Sequence, residues 1–480
     1  MNMALFAPEL VIVLGSLAVF GLSLGEGRGR LAAWVTALTA LVSLAACAAS
    51  LGAQGDLFHQ ALRIDLFSQL FKLFIVLGLA AVTIFGRQLK DIRDDVRPEY
   101  FFFLLLGTLG LMVLVSSVEL ITLFVALELS SNALYLLVPM RQERKGLRVQ
   151  MESAAKYVMF GIVATGILLF GVSYLFGLTG STYFREIAPA LAQRWSDPAA
   201  IVGMLFVLVG LFFKLAAFPM HMWAPDVYQG ASNETTAFIA AVPKAGAVAV
   251  LIRFLLCADP SSQLLIGVLT LVSVCSMCFG NLAALVQKDV KRMLGYSSIA
   301  HAGYVLLGLV TLRDTGCAAA MFYIFGFIAM NLAAFLVLCR VSRDGENVLL
   351  EDLSGLHARA PLAALIMGVS MFALAGIPPF VGFMGKFLLL AEALQRGFVL
   401  LVVVAAVNTA IGIYYYLTVV RTMYFADAGD RPVVRLGALT AGLGVILLVI
   451  VVALGVAPAR LLNAALAAVH AMALQASGGF

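Results

Sequence analysis

Four charged residues stand in stretches where nearly every neighbour is apolar. Glu128 lies in LFVALELSSNALYLL (123–137), Lys214 in VLVGLFFKLAAF (207–218), Lys244 in AFIAAVPKAGAVAVL (237–251) and Lys386 in GIPPFVGFMGKFLLL (376–390). Lys156 follows Glu152 by one helical turn, a spacing that allows a pair along one face. Lys72 is shallow enough in its run for its stem to reach the headgroups, the expected behaviour of a lysine near a membrane surface. At 1.5 Å per residue, Glu128, Lys214 and Lys244 stand roughly 10–15 residues into their helices, too deep for that. A charge at the bilayer centre costs about 2.5–3.5 kcal/mol. Glu128, Lys156, Lys214, Lys244 and Lys386 together amount to roughly 12–18 kcal/mol, comparable to the net stability of a whole fold.

So large a cost points to an ion or proton path. Lysine suits one, because a desolvated amine gives up its proton far more readily than one in water. A carboxylate about 7 Å away, at an effective dielectric of about 20, contributes roughly 2.4 kcal/mol. Moving Glu128 toward or away from a buried lysine would therefore switch that lysine between charged and neutral. A metal site is disfavoured, since protonated lysines repel cations and no His/Asp/Glu cluster accompanies them. His221 comes seven residues after Lys214, and His301 follows Ser297 and Ser298 in a polar run. Each fits either a helix–helix hydrogen bond or a proton relay, and both readings stay open.

These groups need a membrane around them, and the composition supplies one. The chain has 480 residues, 62% of them hydrophobic and 12% charged. Soluble domains carry about 25% charged residues, so lipid must be the solvent for most of this length. With roughly 20 apolar residues per crossing, an all-α integral membrane protein of about fourteen spans is expected. They lie near 4–24, 31–51, 65–86, 100–116, 118–139, 152–178, 199–227, 232–256, 262–286, 293–312, 317–340, 361–395, 398–425 and 436–457. No basic region precedes the first span, so it is expected to be retained and not cleaved as a signal peptide. The seventh and twelfth are too long for one crossing and hold Pro219, and Pro378 with Pro379, so both should be broken helices. The tail from Pro458 to Gln475 is weakly amphipathic and expected to lie along the interface.

The cysteines read as buried small hydrophobes, including Cys275 and Cys278, whose C-x-x-C lacks a second ligand pair. The loops are short and hold no G-x-G-x-x-G or Walker pattern. Redox or nucleotide chemistry must then sit on another chain, and the formal charge of +5 gives no sign of nucleic acid. Basic residues fall in alternate loops. One set, with Arg87, Lys90, Arg141, Arg144, Lys145 and Arg340 among its members, far outnumbers the other. The positive-inside rule then places both termini outside.

Several runs carry a family resemblance. FFKLAAFPMHMWAPDVYQGAS (212–232) resembles the signature of the antiporter-like subunits of respiratory complex I and of Mrp-type cation/proton antiporters. VPKAG (242–246), QKDVKRMLGYSSIAHAGY (287–304) and GIPPFVGFMGKF (376–387) match other parts of that pattern, in order. ALELSSNALYLL (126–137) looks like the segment carrying the family's glutamate. Within the family the subunit N branch fits best, because Lys386 stands where the M branch has glutamate and no lateral helix follows the last spans.

The resemblance implies two inverted five-helix repeats, here 100–256 and 262–425. A three-helix segment (1–99) would precede them, and a last helix with its tail (436–480) would follow. It also implies roles. Glu128 would be the partner carboxylate of Lys214, with Lys244 and His301 on a central hydrated axis and Lys386 leading to a neighbour or an outlet. Lys156 matches a lysine position of the N branch. The expected function is proton translocation within NADH:quinone oxidoreductase, in a bacterial inner membrane with both termini periplasmic. NADH, FMN, iron–sulfur clusters and quinone would be held by the other membrane-arm and peripheral-arm subunits, and no cofactor by this chain. Alternatives are an Mrp-type cation/proton antiporter subunit and a membrane subunit of a related hydrogenase complex.

Overall fold

A computed structural model describes residues 3–476 except 144, 145, 147 and 196. Arg144 and Lys145 of the basic loop set therefore lie outside the described residues. Helices account for nearly all regular structure. They begin with α1 (Ala7–Ser23), α2 (Gly29–Ala49), α3 (Leu66–Phe85), α4 (Arg97–Ser116), α5 (Leu120–Leu137) and α6 (Val149–Thr179). Next come α7 (Phe184–Ala192), α8 (Pro198–Leu215), α9 (Trp223–Gly230), α10 (Asn233–Leu255), α11 (Gln263–Ala284) and α12 (Val290–Leu309). The series ends with α13 (Asp314–Val341), α14 (Leu356–Arg359), α15 (Pro361–Ala375), α16 (Val381–Gln395), α17 (Val399–Phe425), α18 (Ala438–Val456) and α19 (Ala459–Ala476). One short hairpin, Gly55–Leu57 with Leu62–Ile64, joins α2 to α3.

Each expected span has its helix, and the two long ones are broken as their prolines require: α8 and α9 around Pro219, α15 and α16 around Pro378 and Pro379. Polar side chains set several starts. Asp65 and Ser68 form a capping box on α3, and Glu119 accepts from the amides of Ile121 and Thr122 on α5. Ser232 and Asp289 cap α10 and α12. Each satisfies an amide that the helix leaves without an internal partner.

The helices from α4 to α10 and from α11 to α17 each contain five crossings, the fourth of them broken. Five is odd, so the second set starts on the opposite face from the first and runs inverted. At their junction α10 and α13 are buried on every side, which is why both are apolar all round. The first three helices pack on this unit, α1 against α4 and α3 against α10 and α13.

Lys72 does not reach the surface. Its amine is 2.6 Å from Glu9 of α1, and both side chains are wholly buried. The expectation failed because Glu9, a carboxylate inside the first span, offers a closer partner than the headgroups do. The tail after Pro458 forms α19, which packs along α13, with His470 against Asp314 and Met472 against Arg253. Cys275 and Cys278, expected to be buried, are partly exposed on α11, while the other four cysteines are buried.

Candidate intramembrane proton-handling site

Break geometry positions two of the lysines. After Leu215, Ala216 takes a left-handed conformation, and the amide of Ala217 bonds back to the Phe212 carbonyl. After Ala375, Gly376 does the same, and Ile377 bonds back to Phe372. Each half-helix thus ends in one and the same cap, with carbonyls left over at its negative end. Lysine amines occupy these ends. Lys244 Nζ donates to the Leu215 carbonyl at 3.2 Å and to the Ser298 carbonyl at 3.1 Å. Lys386 Nζ donates to the carbonyls of Leu374 and Ala375, both at 3.1 Å.

Lys214 is held differently. It lies in the last turn of α8, two residues before the cap, and its amine donates to the hydroxyls of Ser130 (2.7 Å) and Ser131 (2.9 Å) on α5. Gly110 of α4 lets α5 come this close: a Cβ there would lie 2.5 Å from the Ser130 amide nitrogen. Glu128 is on the same helix but does not touch Lys214. It is half-buried and accepts from Thr165 (2.9 Å) on α6 and Asn132 (3.3 Å).

Between Lys244 and Lys386, α12 supplies a histidine whose partners come from α13 and α17. Nδ1 of His301 is 2.6 Å from the Tyr323 hydroxyl and Nε2 is 3.0 Å from that of Tyr416. The Tyr416 hydroxyl also bonds Ser297. Lys244 sits 5.8 Å from the Phe327 ring, which His301 also meets. Lys386 lies 4.8 Å from the Tyr304 ring, and the Tyr304 hydroxyl bonds Thr409 at 2.9 Å. Polar atoms therefore succeed one another across the molecule from Ser130 on α5 to Lys386 on α16. Hydroxyls and a histidine can take and return protons, and backbone carbonyls can hold the amines or the water between them.

His221 and Lys156 stand apart. The His221 ring stacks on Phe218 and meets Phe279 edge-on, and no hydrogen bond among the described residues joins it to the succession above. Lys156 pairs with Glu152 (2.7 Å) and Asp226 (2.8 Å), and Asp226 also holds Arg292 at 2.7 Å. Its side chain is 40% exposed, at one end of the broken helix. Asp226 thus lies between two cations.

Sequence reading missed Tyr304, Tyr323 and Tyr416, whose type alone gives no sign of a polar line in a span. It also missed Glu9, which a search for carboxylates in every span would have found. Lys291, which falls between the expected spans 262–286 and 293–312, is fully buried in the first turn of α12 and donates to the Ala231 carbonyl at 2.7 Å.

Known proteins share this architecture. The family described as NADH:quinone oxidoreductase/Mrp antiporter, TM, matches residues 117–412. NADH-quinone oxidoreductase subunit N 2 of Opitutus terrae is 51% identical over 460 residues, 96% of each chain. The subunit of the same name from Syntrophobacter fumaroxidans is 41% identical over 474 residues, 98% of this chain and 100% of that one. A chain in the structure of respiratory complex I from Thermus thermophilus with bound aureothin superposes with a TM-score of 0.82 at 33% identity, covering 95% of this chain and 98% of that one. The Mrp complex from Dietzia sp. has a chain with a TM-score of 0.87, covering 98% of both chains, but at 23% identity that likeness speaks for the fold alone. Identity this extensive, carried on one fold from end to end, makes the chain a member of the NADH:quinone oxidoreductase/Mrp antiporter transmembrane family.

Proposed function

We propose that this chain is the subunit N of a bacterial proton-pumping NADH:quinone oxidoreductase. It moves protons across the inner membrane through a hydrated line of buried residues. The reading rests on the succession Lys214, Lys244, His301, Lys386, in which every amine is held by neutral oxygens. An ammonium held by hydroxyls and carbonyls can lose its proton without stranding an opposite charge, whereas one tied to a carboxylate cannot. Lys156, bound to two carboxylates, and His221, outside the succession, have roles at the margin: an entry on one face and a side contact.

Glu128 acts on Lys214 from a short distance. Thr165 and Asn132 hold its carboxylate on a half-buried surface between α5 and α6, where a neighbouring subunit's cation can draw it away. Residues 100–256 and 262–425 form the two repeats, with 1–99 and 436–480 as flanking segments. Both termini face the periplasm. NADH, FMN, iron–sulfur clusters and quinone belong to partner subunits, and quinone reduction there drives the charge shifts here. The relatives' names support complex I over the Mrp and hydrogenase readings, since a subunit N protein is 51% identical over 96% of each chain.

The test is Lys214→Ala in the intact assembly, reconstituted in liposomes with an entrapped pH dye. NADH:quinone turnover should persist at a reduced rate while protons moved per NADH fall. Undiminished pumping in that variant would overturn the assignment. Purification from native membranes tests the assembly itself: NADH:quinone activity in the eluate supports complex I, and cation/proton exchange without it supports the antiporter.

A further inference from the structure

On the face that carries the basic loops, the ends of α2, α3, α13 and α18 surround a cavity of about 640 Å³. Arg30, Arg87, Arg340 and Arg435 line it, and no aspartate or glutamate does among the described residues. Arg340 is fixed from below, donating to the Phe85 carbonyl at 3.1 Å and to the Thr440 hydroxyl at 2.8 Å, so it ties the end of α3 to the start of α18. The Arg87 guanidinium lies 4.3 Å over the Trp34 ring. The first turn of α18 also forms part of the wall, and no side chain caps its amides. Arg30, Arg87 and Arg435 bring like charges together at a wall with no carboxylate among its described lining residues, and an uncapped helix start adds positive potential. The arrangement is complete only with an anion.

The walls say which kind. Trp34 is 55% exposed, as expected of an aromatic at headgroup level. From it, exposed apolar residues continue along α2 through Leu38 and Leu41, and along α18 from Leu439 to Ile446. Two apolar tracks thus leave one basic cavity and enter the membrane. We propose that this cavity binds the phosphate headgroup of an anionic phospholipid whose acyl chains run along α2 and α18. Arginine suits the role, since its planar fork pairs with phosphate oxygens in bidentate fashion, and basic pockets between helices on the cytoplasmic side bind such lipids.

The intact assembly would be reconstituted with a trace of diazirine-tailed phosphatidylglycerol or, separately, diazirine-tailed phosphatidylcholine, and photolysed peptides mapped by mass spectrometry. The anionic probe should label the 31–42 and 438–446 segments roughly fivefold or more above the zwitterionic one. Excess inorganic phosphate should leave that labelling unchanged. The triple variant Arg30→Gln/Arg87→Gln/Arg435→Gln, which keeps Arg340 and its helix ties, should lower it to the zwitterionic level. Equal labelling by both probes, loss to inorganic phosphate, or full labelling in the triple variant would overturn the proposal. So would no labelling by either probe, which would mean that protein covers the cavity. If the variant fails to assemble, the comparison of the two probes on the unmodified protein decides alone.

Discussion

A lysine amine removed from water needs oxygen lone pairs for its three donors, and this chain provides them in three ways. Lys214 takes hydroxyls, Lys244 and Lys386 take backbone carbonyls, and Lys72 takes a carboxylate. These solutions differ in what their loss does. Ser130→Ala/Ser131→Ala removes both partners of Lys214 and should destabilise the assembly by about 1–3 kcal/mol. Its thermal midpoint should fall and proton pumping should drop further than NADH oxidation; an unchanged midpoint would count against the hydroxyls as partners. For the buried pair, Lys72→Met leaves Glu9 unpaired and should cost about 3–5 kcal/mol, whereas Lys72→Met with Glu9→Leu should be close to neutral. The amount of assembled chain in membranes measures both. Equal losses in the single and double variants would mean that the charges themselves are required.

At the scale of elements, the two breaks are one design executed with different residues. The first uses Ala216 at φ 60° and the second Gly376 at φ 87°. Left-handed backbone costs an L side chain roughly 1–2 kcal/mol, so Ala216→Gly should raise stability by about 1 kcal/mol, read as a higher thermal midpoint with pumping retained. Gly376→Ala should go the other way. Its new Cβ would stand 3.0 Å from Lys386 Cδ, adding displacement of the amine to the backbone strain. Pumping should fall in that variant together with stability. Full pumping would place Lys386 outside the path.

The whole molecule is organised around α10 and α13, which carry Lys244 and Tyr323 at the inverted junction. Orientation also belongs to this scale. If the basic loops face the cytoplasm, a cysteine at Asp430, between α17 and α18, should react with an impermeant maleimide only in inverted vesicles. A cysteine at Ser261, between α10 and α11, should react only in right-side-out ones. The reverse pattern would turn the molecule over and, with it, the direction assigned to the line. The protein's own cysteines require a control, because Cys275 and Cys278 are partly exposed.

Much of this was legible in the residues themselves. Hydrophobic runs of membrane length, internal prolines and lysines without polar neighbours already mark fourteen crossings, two broken helices and the buried amines. Each is a local matter of solvent, chain length and backbone donors. Motifs spaced in order marked the family. Partnership was not legible, because it depends on which helix faces meet. That Lys72 answers Glu9 sixty-three residues away, that Lys214 rests on serines and not on Glu128, and that His301 lies between two tyrosines follow from packing alone. A lysine's type sets the desolvation it must overcome, and only the tertiary structure decides which oxygen meets that need.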